Sequence, residues 1–284
     1  NNATLAVPDA GGIVYVDNTK NGNGSSWANA VSELADALKE AETNTAIQQI
    51  WVAKGTYYPQ YDAATLGCTP ADNREKSFVL VNNVKLYGGF AGGESSLSER
   101  DFTLNETILS GDIGILNDNA DNSYHVVISS GSVGTAAING FTITAGNANL
   151  NAAGGPVVNG NTIQRRLGGG IMCYSSSPVV NNCFITGNSA ILNGGGFYLA
   201  VITSAATISN CIISKNTCPS GAGLYATSIS AATSFSNCSF MENTASGTGG
   251  GIYANTTVLR FNHCIISGNT ANTGGGLYIF TSPD

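Results

Sequence analysis

The sequence from Cys183 to Asp284 reads, from one cysteine to the next, CFITGNSAILNGGGFYLAVITSAATISN (183–210), CIISKNTCPSGAGLYATSISAATSFSN (211–237), CSFMENTASGTGGGIYANTTVLRFNH (238–263) and CIISGNTANTGGGLYIFTSPD (264–284). The cysteines that open these segments are 28, 27 and 26 residues apart. Glycine clusters and β-branched residues recur throughout, and no apolar spacing of three and four residues is sustained, which argues against helices. A strand-rich repeat of this length indicates a solenoid in which each repeat forms one coil of backbone.

Equivalent positions of the repeats have the same character. Apolar residues lie three positions before and two positions after each cysteine, a spacing that puts them on one face of a strand. Two columns of asparagines bracket this strand and suit its bends, where stacked amides can bond along the solenoid axis: Asn182, Asn210 and Asn237, then His263 in the same column, and Asn188, Asn216, Asn243 and Asn269. The sequence therefore predicts an all-β fold, a parallel β-helix, right-handed because parallel crossovers take that hand.

A strand follows each glycine cluster, and its second residue is predicted to point outward. In four successive repeats that residue is a tyrosine: Tyr198, Tyr225, Tyr253 and Tyr278. A row of aromatic side chains at strand spacing could bind sugar rings or a partner protein. The alternative is that these tyrosines only cover the strand surface and pack on side loops.

Specific motifs resemble known families. The pairing of Phe240-Met241-Glu242-Asn243 with Gly249-Gly250-Gly251-Ile252 resembles the repeat of the chlamydial polymorphic outer-membrane proteins. The amino-terminal half, with VYVDNTKNGNGSSWANAVSELADAL (14–38), IWVAKGTYYP (50–59), KLYGGFAGGE (85–94) and TILSGD (107–112), is similar to secreted or surface-attached β-helix proteins of Bacteroidetes-type bacteria. The resemblance implies a β-helix that is secreted and attached to the cell surface, but it implies no single activity.

Composition narrows the range of partners. Charged residues make up only 10% of the chain, and the net charge is −7, which argues against nucleic acid or an anionic membrane as a partner. No run of residues is apolar and long enough to span a bilayer. Of the 18 acidic residues, 16 lie at or before Asp121, so the repeat body is almost free of carboxylates.

The chain is interpreted as one domain with three regions. Residues 1–46 hold an opening strand and an amphipathic helix from Trp27 to Glu42, capped by Ser25 or Ser26, which is expected to cover the open end of the solenoid. Residues 47–140 form irregular early coils, and residues 141–284 form regular repeats with a side loop near Ala148 to Leu167. The repeats are expected to continue into a further domain, or to dock on a partner, beyond residue 284.

The repeat body lacks the groups that carbohydrate chemistry needs. Glycoside hydrolysis uses a pair of carboxylates, and lyase chemistry uses a base with a charge-stabilising group. The charged side chains of the body fall in different columns, and the sequence thus favours a non-enzymatic protein that serves in structural or adhesive display. The alternative is a carbohydrate-active enzyme, a lyase or a hydrolase, with its site in the early coils around Asp112 to His125 or Arg74 to Lys85.

One early loop is rich in oxygen ligands. Asp112, Asp118 and Asp121 lie close together with several asparagines, and oxygen ligands at that density could hold Ca²⁺. The spacing lacks the glycine and closing glutamate of an EF-hand loop, so asparagine- and aspartate-rich turns are the favoured interpretation. No other cofactor is expected.

The chain has seven cysteines, and no two of them form a CxxC motif. Four of them share an inward column at strand spacing, where either a stack of buried thiols or a set of disulfides is conceivable. The thiols are favoured, because the odd total leaves at least one cysteine unpaired.

Overall fold

The computed structural model describes residues 6–152 and 154–280, and its strands form parallel sheets that wind through successive coils. Each regular coil has four faces. Face 1, which follows the glycine cluster, comprises Phe78–Val79, Val127–Ser130, Ile171–Tyr174, Phe197–Ala200, the first part of the long strands Leu224–Ser236 and Ile252–Asn262, and Leu277–Phe280. Face 2 comprises Ile13–Val16, Gln49–Ala53, Lys85–Phe90, Ala137–Asn139, Val179–Asn181, Thr207–Ser209 and the second part of the same two long strands.

The other two faces are shorter. Face 3 comprises Gly55–Tyr57, Thr107–Ser110, Thr142–Thr144, Phe184–Thr186, Ile212–Ser214, Ser239–Met241 and Ile265–Ser267. Face 4 comprises Asn147–Ala148, Ser189–Ala190, Thr217–Ser220 and Thr244–Thr248. Strands on each face pair in parallel with their equivalents one coil away, as in Ile185 with Ile213 and Ile213 with Phe240. Like side chains therefore stack along the axis, and the inward columns form the core.

The asparagine column at Asn188, Asn216 and Asn243 is buried, and its side chains are hydrogen-bonded from coil to coil. Asn188 Nδ2 donates to Asn216 Oδ1 at 3.1 Å, and Asn216 Nδ2 donates to Asn243 Oδ1 at 3.0 Å. The last glycine of each cluster leaves room for this column, because a Cβ on Gly196 would lie 2.6 Å from Asn216 Nδ2. The glycines and the asparagines are thus two halves of one packing arrangement.

The other asparagine column turns the corner between faces 2 and 3. Asn182, Asn210 and Asn237 have φ values of 52°, 53° and 54°, and His263 has 53°. Asparagine adopts this left-handed conformation at lower cost than most residues do. Asn237 Nδ2 also donates to Asn210 Oδ1 at 3.2 Å, which links successive corners.

All seven cysteines lie within the described residues, and all are free thiols. Cys183, Cys211 and Cys238 are buried in the core, and Cys264 is half-buried. In-register stacking holds equivalent Cβ atoms at about the strand spacing of ~4.8 Å, which exceeds the usual Cβ separation in a disulfide of about 3.5–4.5 Å. The geometry therefore favours a column of thiols.

The amino-terminal helix is shorter than predicted. The prediction of one helix from Trp27 to Glu42 is wrong: Trp27–Asn29 form a 3₁₀ turn, Val31 bridges to Val16, and the α-helix spans Leu34–Ala41. Ser26 caps the 3₁₀ turn, whereas no side chain caps the helix. The break occurs because Val31 extends the first strand pairing before the helix begins. The apolar side of the helix still packs on the core, as expected of a cap.

The described residues include two more 3₁₀ turns, Asn73–Glu75 and Leu97–Glu99, and no helix long and apolar enough to cross a membrane. Two segments fold over the outside of face 1: the loop before Phe78, and the side loop predicted near Ala148 to Leu167. The side loop contains an antiparallel hairpin of Val157–Val158 with Asn161–Thr162, which we call the side hairpin. The expectation of a further domain or a docked partner beyond residue 284 lies outside the described part of the chain.

Candidate functional site

The outward column of face 1 runs in register through seven coils. Its members, each paired with the next, are Val79, Ile128, Met172, Tyr198, Tyr225, Tyr253 and Tyr278. The first three are aliphatic or thioether side chains, and the last four are the tyrosines singled out from the sequence. We call Tyr225, Tyr253 and Tyr278 the tyrosine stripe, because their environment differs from that of the other four.

The first four members of the column are buried under the side segments. Met172 is 1% exposed and Tyr198 is 7% exposed, and both pack in one cluster with Val158, Ile163 and Leu167 of the side loop. The tyrosine stripe begins at the edge of this cover: Tyr225 still packs against the cluster, and all three side chains of the stripe are half-buried. Packing on a side loop, one of the two alternatives for these tyrosines, is therefore what Tyr198 does, while the stripe remains accessible.

The tyrosine rings stack on one another along the axis. Ring centroids are 4.6 Å apart between Tyr225 and Tyr253, with the planes 6° apart, and 5.2 Å apart between Tyr253 and Tyr278. Because each ring face meets the next ring, the stripe presents ring edges and hydroxyl groups outward. Stacking of sugars on these faces, which the sequence suggested, is therefore unavailable between successive rings. Burial raises the pKa of Tyr225 and Tyr253, so both are neutral hydrogen-bonding phenols at pH 7.

A second outward column runs beside the tyrosines, two residues further along each strand. Ser130, Tyr174, Ala200, Thr227, Asn255 and Phe280 occupy it in register. Ser130 holds the side hairpin in place, since its Oγ donates to Val158 O at 2.8 Å. Thr227 and Asn255 are the half-exposed polar members beside the stripe. Sequence reasoning did not single them out, although their constant offset from the tyrosines was visible.

The aspartates of the early loop point to separate backbone amides. Asp112 accepts from Asn117 N at 3.0 Å, Asp118 accepts from Ala120 N at 2.9 Å, and Asp121 accepts from Ile115 N at 2.7 Å. Such contacts are those of aspartate-stabilised turns. Within residues 6–152 and 154–280, no group of three or more histidine, cysteine or acidic side chains is arranged to hold a metal ion. The structure thus gives the calcium prediction no support.

A cavity of about 370 Å³ lies at the early loop. Its lining includes Tyr58, Lys76, Asp112 and Leu116. The enzymatic alternative predicted a site around Arg74 to Lys85 or around Asp112 to His125. The cavity lies between these two segments, because Lys76 comes from the first and Asp112 from the second. Lys76 and Asp112 form no ion pair, and the lining holds one carboxylate instead of the two that glycoside hydrolysis uses.

Three further ionisable side chains of those segments, His125, Glu75 and Arg74, are held by contacts within the fold. His125 is fully buried, its Nδ1 lies 2.9 Å from Gly168 O, and burial lowers its pKa to about 4. Since a carbonyl can only accept, Nδ1 carries the proton and Nε2 is the bare nitrogen. Glu75 and Arg165 form an ion pair that joins the loop before Phe78 to the side loop. Arg74 donates to Asn122 O at 2.6 Å and to Asn147 O, so it too is committed to the scaffold.

Comparison with known proteins places the fold in a family. Residues 71–240, more than half of the chain, match the family model described as "Right handed beta helix region", and no curated protein matches the sequence. The predicted all-β, right-handed parallel β-helix with an amino-terminal helix is confirmed by this match together with the parallel sheets. The chain therefore belongs to the right-handed β-helix family.

Proposed function

We propose that this protein is a non-enzymatic β-helix scaffold that binds a partner, a glycan or a protein, along the tyrosine stripe. The observation that carries the proposal is the change within one in-register column. Its first four members are covered by the chain's own side segments, whereas Tyr225, Tyr253 and Tyr278 are half-exposed on the same face. A row of accessible aromatic side chains is the type of surface that protein partners and ligands contact.

The surroundings of the stripe suit recognition better than catalysis. The strand segments 224–229 and 252–257, which carry Tyr225 and Tyr253, contain no charged residue. Within the described residues the ion pairs are Glu75 with Arg165, and Lys215 with Glu242, and none of these four residues belongs to the strands that carry the stripe. The resemblance to surface β-helix proteins supports a secreted protein attached to the cell surface, and the net charge of −7 disfavours nucleic acid.

The test compares binding by the wild type with binding by Tyr225→Thr/Tyr253→Thr on arrays of glycans and of cell-surface proteins. Threonine removes the rings but keeps the β-propensity of the strand. Tyr58→Thr is the matched control, because Tyr58 is half-buried but lies away from face 1. We expect the double variant to lose at least one array signal that the control keeps. Identical patterns in all three proteins would show that the stripe is not the recognition surface.

A second candidate is a carbohydrate-active enzyme, favoured by the cavity that Lys76 and Asp112 line. Lysine is a suitable base for a lyase when a second group stabilises the developing charge. Its test is to incubate the protein with a panel of plant, algal and host polysaccharides, following ultraviolet absorbance and reducing ends. Turnover that Lys76→Met abolishes, while Lys85→Met retains it, would replace the scaffold proposal by an enzymatic one.

A further inference from the structure

We infer that the partner of the tyrosine stripe is a polypeptide, an uncharged aliphatic β-hairpin of another protein that seats on Tyr225 and Tyr253 as the side hairpin seats on the coils before them. This inference rests on the proposed function and names the class of its ligand.

The chain itself supplies the template for such a contact. The side hairpin turns at Asn159 and Gly160, which both have positive φ, as a two-residue turn between right-twisted strands requires. Its Val158 is 3% exposed and the following Ile163 is fully buried, both against the outward column of face 1. The tyrosine stripe continues this covered surface without a break in register. A second hairpin would therefore meet the same strand geometry, with tyrosine in place of isoleucine and methionine.

The polar anchor of the hairpin also repeats beside the stripe. Ser130 lies two residues after Ile128; its Oγ donates to Val158 O, and its carbonyl accepts from Asn159 Nδ2 at 2.9 Å. Thr227 lies two residues after Tyr225 in the same column and offers the same hydroxyl group, while its carbonyl already accepts from Val201 N at 3.2 Å. Thr227 is half-exposed, and in the described part of the chain its hydroxyl has no hydrogen-bond partner. A hairpin carbonyl is the acceptor that the template predicts for it.

The orientation of the rings favours protein over carbohydrate. Sugars bind aromatic residues through the ring face, and the facing surfaces of Tyr225 and Tyr253 are occupied by each other at 4.6 Å. Ring edges and aliphatic side chains pack well, as Tyr198 does in the cluster that contains Val158 and Ile163. The absence of charged residues from the strand segments 224–229 and 252–257 makes an uncharged, aliphatic partner the complementary one.

The test uses a peptide of residues 155–164, GPVVNGNTIQ, closed into a hairpin by an added terminal disulfide. It is titrated into the full chain carrying ¹³C-labelled tyrosine rings and followed by NMR, which detects millimolar affinities. We expect saturable shifts of Tyr225 and Tyr253. Thr227→Val should weaken binding about fivefold, since a hydrogen bond contributes about 1 kcal/mol, whereas Thr207→Val on exposed face 2 should not. The same peptide with aspartate in place of Val158 and Ile163 should give no shifts.

The outcomes separate this inference from the proposed function. No hairpin-induced shift at Tyr225 and Tyr253 overturns the inference, and so does a glycan-array signal that depends on these tyrosines. In both cases the proposed function stands if the double variant loses array binding. Light scattering of the wild type and the double variant tests whether a second copy of this chain occupies the stripe. A wild-type dimer that the substitutions dissociate would assign the stripe to that second copy and overturn the inference.

Discussion

Substitution of Asn216 by alanine tests the buried asparagine column most directly. The side chain is fully buried and makes four hydrogen bonds. Its Oδ1 accepts from Asn188 N at 3.0 Å and from Asn188 Nδ2, and its Nδ2 donates to Ile185 O at 2.9 Å and to Asn243 Oδ1. These bonds join three successive coils.

The expected cost follows from what remains after truncation. Asn188 Nδ2 keeps Ile143 O and Thr186 O as acceptors, so it is not orphaned. Asn188 N loses its acceptor in a dry site, which costs about 1–3 kcal/mol. The other three lost bonds contribute about 1 kcal/mol each, so Asn216→Ala should lower the free energy of unfolding by roughly 4–6 kcal/mol.

Asn269→Ala is the matched control. Asn269 makes three of the four equivalent bonds, for example to Phe240 O at 2.8 Å, but it is half-buried, so water can replace them at a cost of about 1 kcal/mol. Urea unfolding followed by far-UV circular dichroism measures both variants, with the slope checked because solenoids can unfold in parts. Equal, small losses in the two variants would refute the view that the buried amide bonds hold the coils together.

Three further predictions follow from buried groups. His125 stays neutral down to about pH 4 in the folded state, whereas its pKa in the unfolded chain is about 6.5. Because the folded-state pKa is the lower one, the free energy of unfolding should fall by about 3 kcal/mol as the pH drops from 6.5 to 4. Urea midpoints at pH 7 and pH 4 should show that His125→Gln removes this pH-dependent loss. In the native protein a maleimide reagent should label Cys68 first and Cys264 next, because Cys68 is exposed, Cys264 is half-buried and the other five cysteines are buried; mass spectrometry that finds disulfides would contradict the thiol column. Gly196→Ala should lower the thermal midpoint through a clash with Asn216, at a cost of about 1–3 kcal/mol, whereas Gly93→Ala, with open space around it, should change stability by less than about 0.5 kcal/mol.

The sequence was informative where the same residue type recurs at the equivalent position of successive coils. The cysteine and asparagine columns could be aligned because their environments recur every 26–28 residues. The helix prediction failed because the amphipathic pattern from Trp27 continues through Val31, while the chain there pairs with Val16, a tertiary contact that local periodicity does not contain. Turn-forming aspartates and calcium ligands have the same composition, and only the directions of their carboxylates distinguish them.

The candidate site depended on information of another kind. That an outward tyrosine column exists could be predicted from the repeats, but which tyrosines are covered depends on how far the side loop reaches. Its Asn159-Gly160 pair is a recognised hairpin signal that was present in the sequence. The role of Thr227 became apparent only when Ser130 was seen to hold the hairpin.

Inward-pointing and outward-pointing positions of the solenoid therefore serve different purposes. Inward positions repeat because every coil must offer its neighbour the same shape and hydrogen bonds, so an insertion there would break the stack. Outward positions are free to differ, and this chain uses that freedom twice on face 1: side segments cover the column as far as Tyr198, and beyond it the residue type changes to tyrosine, which tolerates both water and an apolar partner. If the tyrosines only shield the strand surface, Tyr225→Ile should lower stability, because it removes the ring stacking with Tyr198 and Tyr253, and it should leave array binding unchanged. If the stripe binds a partner, the same substitution should instead reduce array binding.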